Sequence, residues 1–600
     1  MSTPPAGPPK ANFGLLGRLL GEARDYRGWL ALAAGLAILS APLAALRPRL
    51  VQSMVDDYIV RFDLAGLQRM TLVIAGVLVL EALVRYAFTY LTNWLGQSVV
   101  RDLRDRVFGH ITSLRLTYFD RTPIGTSTTR TINDIQTINT VFTDGGIAII
   151  ADVLVVFVVL AIMFSISWRL TLICLTTIPL LVLASYIFKE KVKAAFQKVR
   201  TQISRMNAFL QERISGMAIV QAFNAEEQEA RRFRAINRAY TQANLDNILY
   251  YAVFFPVVEI LSAASLGLMV WWGARGVIGG EVSLGVLVAF PLYLNMLFRP
   301  IRTLADKFNT LQMGLVAAER VFGVLDRRDL IPDDGDAAPQ RIDGHIEFDD
   351  VTFAYVEAEW VLQQVSFSLA AKQTLAIVGS TGSGKSTVIN LLNRFYEVQR
   401  GQIRLDGVPL EDYDLEYLRS RLAIVLQDVF LFGGSVLENI TLADASIPRE
   451  RVVEAAKMIG AHAFIERLPG GYDHVVQERG ATLSMGQRQL ISFVRALVFD
   501  PDILILDEAT SSIDPETEAV IQYAIERLIE RRTSIVIAHR LATIRHADKI
   551  LVLDRGRVVE FGTREELLAI DGGRFRELWD MQYVEAAPSG TTAAPSSASA

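Results

Sequence analysis

The chain has 600 residues and a formal net charge of −5, and 51% of its residues are hydrophobic, with a mean hydropathy of +0.29. This length favours more than one domain, and the apolar content is too high for a purely soluble protein of this size. The negative charge gives no support for a nucleic-acid partner, and because Cys174 is the only cysteine, an intrachain disulfide or a multi-cysteine metal site is excluded.

The apolar residues are concentrated in the first half, where nearly uncharged stretches of membrane-spanning length recur. They predict six membrane helices over residues 29–46, 70–95, 147–168, 170–188, 248–274 and 282–298. The third and fourth helices are so close that only a tight turn, near residues 167–169, can join them. Residues 1–12 are rich in proline and do not resemble a secretory signal peptide, so we expect the first span to act as an uncleaved membrane signal.

The distribution of charge predicts the orientation in the membrane. The segments between the second and third spans and between the fourth and fifth spans are long and cationic, so by the positive-inside tendency both face the cytoplasm. An even number of spans then places the N-terminus and the second half of the chain in the cytoplasm, and we expect a multi-pass protein of the plasma (inner) membrane. The cations are Arg101, Arg104, Arg106, Lys189, Lys191, Lys193, Arg231, Arg232 and Arg234.

Several charged residues lie within the predicted spans. Glu81 and Arg85 are four residues apart on one helical face, which favours a structural ion pair between them over the alternative, a contact with substrate. Asp152 and Glu259 have no neighbouring cation on their own helix, and a charge in a membrane faces a cavity, pairs or snorkels, so a structural role and a contact with substrate both stay open. Tyr293, Asn295 and Phe298 could either line a translocation path or pack in the core of the membrane domain.

The two halves are separated by residues 326–344, which are polar and rich in proline and aspartate, as is typical of a linker. The segment from residue 585 onward has too little apolar surface to fold. The predicted organisation is an N-terminal tail over 1–24, a helical membrane domain over 25–322, a linker over 323–344, a second folded domain over 345–584 and a tail over 585–600.

The second half contains the segment GSTGSGKST at 379–387, which follows the apolar run 374–378 and precedes the helical pattern at 388–395. A strand, a glycine-rich loop and a helix in this order are the context that a phosphate-binding loop requires. A glycine-rich surface turn is the alternative, but it would not explain the flanking strand and helix. The segment therefore predicts an α/β domain that binds a nucleoside triphosphate.

Each residue type in this loop has a chemical reason. The glycines allow the backbone N–H groups to point inward at a polyphosphate, and the helix adds the positive end of its dipole. Lys385 supplies a charge for the β- and γ-phosphates, and the Ser386 hydroxyl is placed to ligate Mg²⁺. We assign the whole loop to ATP binding: Gly379, Ser380, Thr381, Gly382, Ser383, Gly384, Lys385, Ser386 and Thr387.

Two later strands predict hydrolysis as well as binding. The run ILILDE at 503–508 has the composition of a buried parallel strand that ends in two acids. Asp507 is assigned to Mg²⁺, and Glu508 to polarising the attacking water. The run SIVIAH ends in His539, which we expect to contact the γ-phosphate, because ligands bind at the carboxyl ends of strands in such sheets.

With LSMGQRQ at 483–489, a signature-like motif, the chain resembles the ATP-binding cassette (ABC) transporters over roughly 345–580, and their exporter branch over most of 30–320. The resemblance implies that Tyr355 stacks on adenine and that Gln427 links the nucleotide site to the membrane domain, with a part in catalysis and Mg²⁺ binding. Asp514 of SSID matches the segment that crosses the dimer interface. The residues that would contact ATP from the opposite subunit are Leu483, Ser484, Met485, Gly486 and Gln487.

The same resemblance implies how the two domains communicate. Pro123 and Gly125 are predicted to break the helix within YFDRTPIGT at 118–126, which resembles the short transverse helix of exporters that docks on the ATPase domain. The segment at 207–226 resembles the second docking element. An ordinary helical hairpin is the alternative interpretation of both segments.

Because one chain carries one phosphate loop and one signature, the resemblance implies a dimer in which each ATP site combines the loop of one subunit with the signature of the other. We predict a homodimer, although Met485 replaces a glycine that is usual in the signature, and a heterodimer with a degenerate second site is the alternative.

Other function classes fit less well. A soluble cassette ATPase lacks fused membrane spans, a cassette importer usually keeps its membrane and ATPase parts on separate chains, and a nucleotide-gated channel would not need Glu508 and His539. We therefore predict ATP-driven export or flipping of an apolar or amphipathic substrate, such as a drug, a lipid or a peptide, by a half-transporter in a lipid bilayer.

Overall fold

The computed structural model describes residues 13–507, 515–538 and 544–586. The chain divides into two compact units. Unit 1 comprises Met1–Thr112 and Thr122–Arg327, and unit 2 comprises Ser113–Arg121 and Arg328–Ala600. Each unit is described by itself below.

Unit 1 consists of helices. Its long helices are continuous through regions where apolar residues dominate, and short π-helical or 3-10 segments join several of them. The helices are α1 (Phe13–Glu22), α2 (Arg27–Ser53), α3 (Leu64–Ser113), α5 (Ile124–Thr129), α6 (Ile135–Thr140), α7 (Gly146–Ile166), α8 (Trp168–Leu175), α9 (Ile178–Ser215), α10 (Met217–Ala222), α11 (Glu226–Ile278) and α12 (Leu284–Leu325); α4 (Leu116–Arg121) belongs to unit 2.

In the described chain, five helical stretches are long and apolar enough to cross a membrane. The first part of α12 is a shorter apolar helix. These six stretches correspond to the six predicted spans. The tight turn between the third and fourth spans is Ser167, which has an extended backbone and whose hydroxyl caps α8 by accepting from the N–H of Leu170 at 3.4 Å. The five long stretches are Gly14–Ile59, Leu64–Ser113, Ile124–Ile166, Trp168–Ser215 and Glu226–Ile278, and the shorter one is Leu284–Pro300.

The predicted partner of Glu81 is wrong. In the structure, the carboxylate of Glu81 lies 3.9 Å from the guanidinium of Arg47 on α2, instead of pairing with Arg85 on its own helix. Asp152 also finds its cation on another helix, because the ammonium of Lys307 on α12 donates to it at 2.6 Å. Helix packing therefore supplies counter-ions that the spacing along one helix does not reveal.

Core packing accounts for two residues whose role was open or expected to be structural. Tyr293 is fully buried, and its hydroxyl donates to the carbonyl of Ala45 at 3.3 Å. Cys174 is also fully buried in the same cluster of side chains, from α2, α7, α8, α9, α11 and α12. Both side chains fill the interior of unit 1.

A helix forms within the stretch that we assigned to an N-terminal tail. Leu19 of α1 is fully buried against α3 and α12. On the same helix, the guanidinium of Arg18 donates to both carboxylate oxygens of Asp326, at 2.6 and 2.7 Å, and lies 4.0 Å from the centre of the Phe322 ring. These contacts hold α1 against the end of α12.

The described part of unit 2 is an α/β structure with three sheets. Its strands are β1 (Ile346–Phe353), β2 (Leu362–Leu369), β3 (Thr374–Val378), β4 (Arg400–Leu405), β5 (Val408–Pro409), β6 (Leu422–Val425), β7 (Gly434–Ser435), β8 (Val475–Val476), β9 (Ile503–Asp507), β10 (Thr533–Ile537), β11 (Lys549–Asp554) and β12 (Arg557–Gly562). Its other helices are α13 (Lys385–Leu392), α14 (Leu415–Arg421), α15 (Val436–Thr441), α16 (Arg449–Met458), α17 (His462–Arg467), α18 (Met485–Val498), α19 (Pro515–Ile529), α20 (Arg564–Leu568) and α21 (Arg574–Ala586).

The central sheet has the strand order β12-β11-β3-β10-β9-β6, in which only β12 is antiparallel to its neighbour. Every residue of β3 and β10 is buried, which explains why both strands are mainly apolar. A four-stranded antiparallel sheet of order β2-β1-β4-β5 packs its apolar residues into the same core. The carboxyl ends of β3, β6, β9 and β10 therefore lie at one edge of the central sheet. The predicted six-span helical domain followed by an α/β domain is confirmed.

The linker packs onto unit 2. The N–H of Ala337 donates to the carbonyl of Asp412 at 3.0 Å, and the carbonyl of Ala337 accepts from the N–H of Asp414 at 3.2 Å. The buried guanidinium of Arg394 donates to the carbonyl of Pro332 at 2.9 Å. These hydrogen bonds satisfy polar backbone groups that have no partner within a helix or a strand.

Candidate active site

The glycine-rich loop joins β3 to α13 in a backbone conformation that other residues do not readily adopt. Gly384 has a φ of +102°, and a Cβ atom there would lie 2.6 Å from Cδ2 of Leu362. A Cβ atom at Gly379 would lie 2.1 Å from the carbonyl oxygen of Leu553. Because other segments of the same chain approach the loop so closely, glycine is required at both Gly379 and Gly384.

Lys385 lies inside the loop. Its ammonium donates to the carbonyls of Gly379 at 2.9 Å and Ser380 at 3.0 Å, and the side chain is buried. Burial lowers the pKa of Lys385, and the carboxylate of Asp507 acts in the opposite direction. The loop therefore surrounds a positive charge at the start of a helix, an arrangement suited to an anion such as a phosphate.

Two predicted magnesium ligands come together at the edge of the sheet. The hydroxyl of Ser386, at the start of α13, donates to the carboxylate of Asp507, at the end of β9, over 3.5 Å. Hydroxyl and carboxylate oxygens are suitable ligands for Mg²⁺. Gln427 is exposed and lies two residues beyond the end of β6, the strand that pairs with β9. The donor set thus fits a hard cation at this edge.

Tyr355 lies beside the loop. Its hydroxyl donates to Oγ1 of Thr387 at 3.2 Å and accepts from the side-chain amide of Asn390 at 3.0 Å. Its half-buried ring meets the rings of Phe353 and Tyr396 edge-on, with centroids 4.9 and 5.0 Å apart. The last residue of the phosphate loop and the proposed adenine platform are therefore in direct contact.

Three predicted site residues, Glu508, Asp514 and His539, lie outside the described residues. The strands that lead to two of them are neighbours, because Asp507 of β9 pairs with Ile537 of β10. The chain therefore leaves both strands at the edge that holds the phosphate loop. The roles of the three residues stay predictions.

The signature-like residues begin α18. Ser484 is the N-cap: its hydroxyl accepts from the N–H of Gln487 at 3.2 Å, and the Gln487 side chain accepts from the N–H of Ser484 at 3.0 Å. Leu483 and Gly486 are buried, whereas Met485 is half-buried. Within the described residues, no hydrogen bond joins this motif to the phosphate loop of the same chain. The described hydrogen bonds thus do not connect the start of α18 to the phosphate loop.

Sequence reasoning missed Asn390 and Tyr396, which both contact Tyr355. Asn390 could have been found, because it follows Thr387 by three residues and so lies on the same face of α13. Tyr396 carried no local signal, since its contact with Tyr355 depends on how the strand and the helix pack.

The predicted docking element at 118–126 is divided between the units. Residues 113–121 belong to unit 2, and the chain from Thr122 belongs to unit 1. Helix α4 ends at Arg121 and α5 begins at Ile124, so the break lies at residues 122–123, and Gly125 is inside a helix. The second predicted element, residues 207–226, contains the end of α9 at Ser215 and all of α10.

Comparison with known proteins matches the two halves of the chain to two different family models. Residues 30–301 match the ABC transporter transmembrane region, and residues 362–511 match the ABC transporter family. The chain is 38% identical to an uncharacterized ABC transporter ATP-binding protein, YknV, of Bacillus subtilis, over 95% of both chains. It is 38% identical to the probable multidrug resistance protein YheH of B. subtilis, over 87% of this chain and 77% of the relative. It is 35% identical to an ATP-dependent lipid A-core flippase of Desulfotalea psychrophila, over 95% of this chain and 100% of the relative.

Proposed function

Since the chain belongs to the ABC transporter family, as a half-transporter with a membrane domain and an ATPase domain in one chain, we propose that it exports or flips an apolar or amphipathic molecule. It is a multi-pass membrane protein that couples ATP hydrolysis to transport. Relatives named as a lipid A-core flippase and a probable multidrug resistance protein support a lipid or a drug as the substrate class. A peptide is the remaining candidate.

The observation that carries the catalytic proposal is the hydrogen bond from Ser386 to Asp507, beside a loop with Lys385 at its centre. Lys385 and the loop N–H groups bind the phosphates of ATP, and Tyr355 stacks on adenine. Ser386, Asp507 and Gln427 would hold Mg²⁺, which neutralises phosphate charge when bound. Glu508 acts as the general base, and His539 contacts the γ-phosphate.

Glu508→Gln tests this assignment. The amide keeps the shape of the side chain but cannot accept the proton of water, so we expect hydrolysis to fall by about 10²–10⁴-fold while ATP binding persists. Steady-state hydrolysis and nucleotide binding would be measured on the purified protein. The matched control is Glu530→Gln, which removes a charge of unit 2 that is paired with Arg527. Turnover of the Glu508 variant within threefold of the wild type would contradict the proposal.

We propose that two copies of this chain form the working transporter. Each ATP site would combine the phosphate loop of one copy with Ser484 and Gly486 of the other, while the half-buried side chain of Met485 points away from the phosphate. The alternative is a heterodimer in which this altered signature faces a degenerate site. Closure of the two ATPase domains around ATP would switch a central cavity between the two sides of the membrane.

Transport itself is tested with the protein in sealed lipid vesicles. We expect the ATPase domain to lie on the cytoplasmic side of the inner membrane, so ATP added to the side of that domain should drive movement of a fluorescent lipid or a dye. A nucleotide-gated channel would give ion conductance without ATP-dependent accumulation. Conductance alone would therefore overturn the transporter proposal.

A further inference from the structure

A line of contacts connects residue 120 to the phosphate loop within unit 2. The carboxylate of Asp120, on α4, accepts a hydrogen bond from the hydroxyl of Tyr396. The ring of Tyr396 meets the ring of Tyr355 edge-on, at a centroid distance of 5.0 Å and an angle of 89°. Tyr355 in turn donates to Thr387, the last residue of the loop. Two side chains, those of Tyr396 and Tyr355, thus connect Asp120 of α4 to the loop.

Other contacts hold this part of the chain in place. The guanidinium of Arg121 donates to the carbonyl of Tyr355 at 3.2 Å. At the start of the segment, Leu114 forms a β-bridge with Leu330, and the N–H of Arg115 donates to the carbonyl of Asp329 at 2.9 Å. The segment is therefore attached to unit 2 at both of its ends.

The hydrogen bond between Asp120 and Tyr396 has a defined direction. Burial of the phenol and its contact with Asp120 both raise the pKa of Tyr396, so its hydroxyl remains a donor at physiological pH. A donor held by a charged acceptor restricts the rotation of the Tyr396 ring. An edge-to-face contact depends on ring orientation, so the restriction extends to the ring of Tyr355.

We propose that Tyr396, held by Asp120, is a positioning residue that orients the Tyr355 ring for adenine. The inference rests on the proposed stacking role of Tyr355. It makes the affinity for ATP depend on a residue that lies outside the nucleotide site, in the segment that directly follows helix α3. The phosphate loop is also held by the hydrogen bonds of Lys385 to loop carbonyls. Its affinity for phosphates therefore does not depend on the contacts from Asp120 through Tyr396 to Tyr355.

The test compares ATP with inorganic tripolyphosphate, which has the phosphates but no base. Tyr396→Phe and Asp120→Ala should each raise the KM for ATP by about threefold to tenfold, as is typical of coupled neighbouring residues, with kcat within about twofold. The inhibition constant of tripolyphosphate should not change. Asp120→Asn keeps an acceptor oxygen and should raise KM less than Asp120→Ala.

Two comparisons distinguish positioning from general damage. The double variant of Asp120→Ala and Tyr396→Phe should have the KM of the worse single variant, because both changes break the same hydrogen bond. Tyr417→Phe is the matched control, since it also removes a hydroxyl that donates within unit 2, to the carbonyl of Pro339. It should leave the KM for ATP at the wild-type value.

The results that would overturn the inference are distinct from failure of the proposed adenine site. If Tyr355→Ala raises the KM for ATP but Tyr396→Phe does not, the positioning role is wrong and the adenine platform stands. If Tyr355→Ala leaves KM unchanged, both are wrong. An equal rise in KM and in the tripolyphosphate inhibition constant would also overturn the inference, because it would indicate damage to the phosphate loop.

Discussion

Gly384 illustrates how the nucleotide site depends on the absence of a single side chain. Its φ of +102° is unfavourable for any residue with a Cβ atom, and the space for that atom is taken by Leu362. Lys385 follows directly, so a change in this peptide would move the ammonium and the first N–H groups of α13. Gly384 therefore determines both the backbone conformation of the loop and the position of the Lys385 charge.

We predict that Gly384→Ala destabilises the ATPase domain by about 1–3 kcal/mol, the typical strain of an unfavourable φ together with a clash. It should also reduce ATPase activity by at least about tenfold, since misplaced groups lose contact with the phosphates. Thermal unfolding and steady-state hydrolysis are the measurements. Gly407→Ala is the control, because Gly407 also has a positive φ, of +80°, but open space around it. If the two variants have equal activity, the predicted steric cause is wrong.

A second prediction at this scale concerns the metal. Asp507→Asn removes the charge that faces Ser386, so the Mg²⁺ concentration for half-maximal activity should rise by about tenfold or more. Binding of ATP in the absence of Mg²⁺ should be unchanged. Asp554→Asn serves as the control, since Asp554 ends β11, a strand of the same sheet that does not pair with β9. An unaltered Mg²⁺ requirement in Asp507→Asn would show that the metal is held elsewhere.

Two helices of unit 2 begin with the same kind of serine cap. The serine N-caps Ser484 and Ser435 form the same reciprocal hydrogen bonds at the start of α18 and α15, with Gln487 and Glu438 respectively. A cap satisfies N–H groups that have no partner within the helix, and the free helix end attracts anions. Only Ser484 is proposed to face the ATP that is bound by the phosphate loop of the second subunit. A comparison of the two caps therefore distinguishes an effect on stability from an effect on ATP hydrolysis.

We predict that Ser484→Ala and Ser435→Ala each lower the free energy of unfolding by about 0.5–2 kcal/mol. Only Ser484→Ala should abolish ATP hydrolysis, because it alone removes a hydroxyl from the nucleotide site. Thermal unfolding measures the loss of stability that both variants should share, and ATP hydrolysis measures the loss of activity that only Ser484→Ala should show. A similar loss of activity in both variants would mean that Ser484 acts only as a helix cap.

The whole molecule presents one phosphate loop and one signature that are separate within a chain. Leu490 and Val494 of α18 belong to a different core cluster from Val388 and Leu391 of α13. A complete site must therefore combine groups from separate regions, and a second copy in a symmetric dimer can supply them. This arrangement is the physical basis of the proposed homodimer.

Complementation between two inactive chains tests it. Lys385→Ala disables the loop and Ser484→Ala disables the signature, so each pure variant should be inactive. A mixed dimer keeps one of its two sites with both a wild-type loop and a wild-type signature. If half of the dimers are mixed, about a quarter of all sites are intact, so single-turnover hydrolysis should recover to about a quarter of the wild-type level. The mass of the purified chain should be that of a dimer. Recovery would fail if each site were built from one chain, and a monomer active only with a different chain would favour the heterodimer.

Local patterns in the sequence determined much of this protein. Apolar length predicted the membrane spans, and the spacing of 379–387 between a strand and a helix predicted the phosphate loop, because both depend on residues that are neighbours along the chain. Tertiary structure alone decided that Glu81 pairs with Arg47, that Ser386 meets Asp507, and that Asp120 reaches Tyr396. These partners are far apart in sequence, and nothing in the residue types specifies which distant group the packing of helices and strands will bring within a few ångströms.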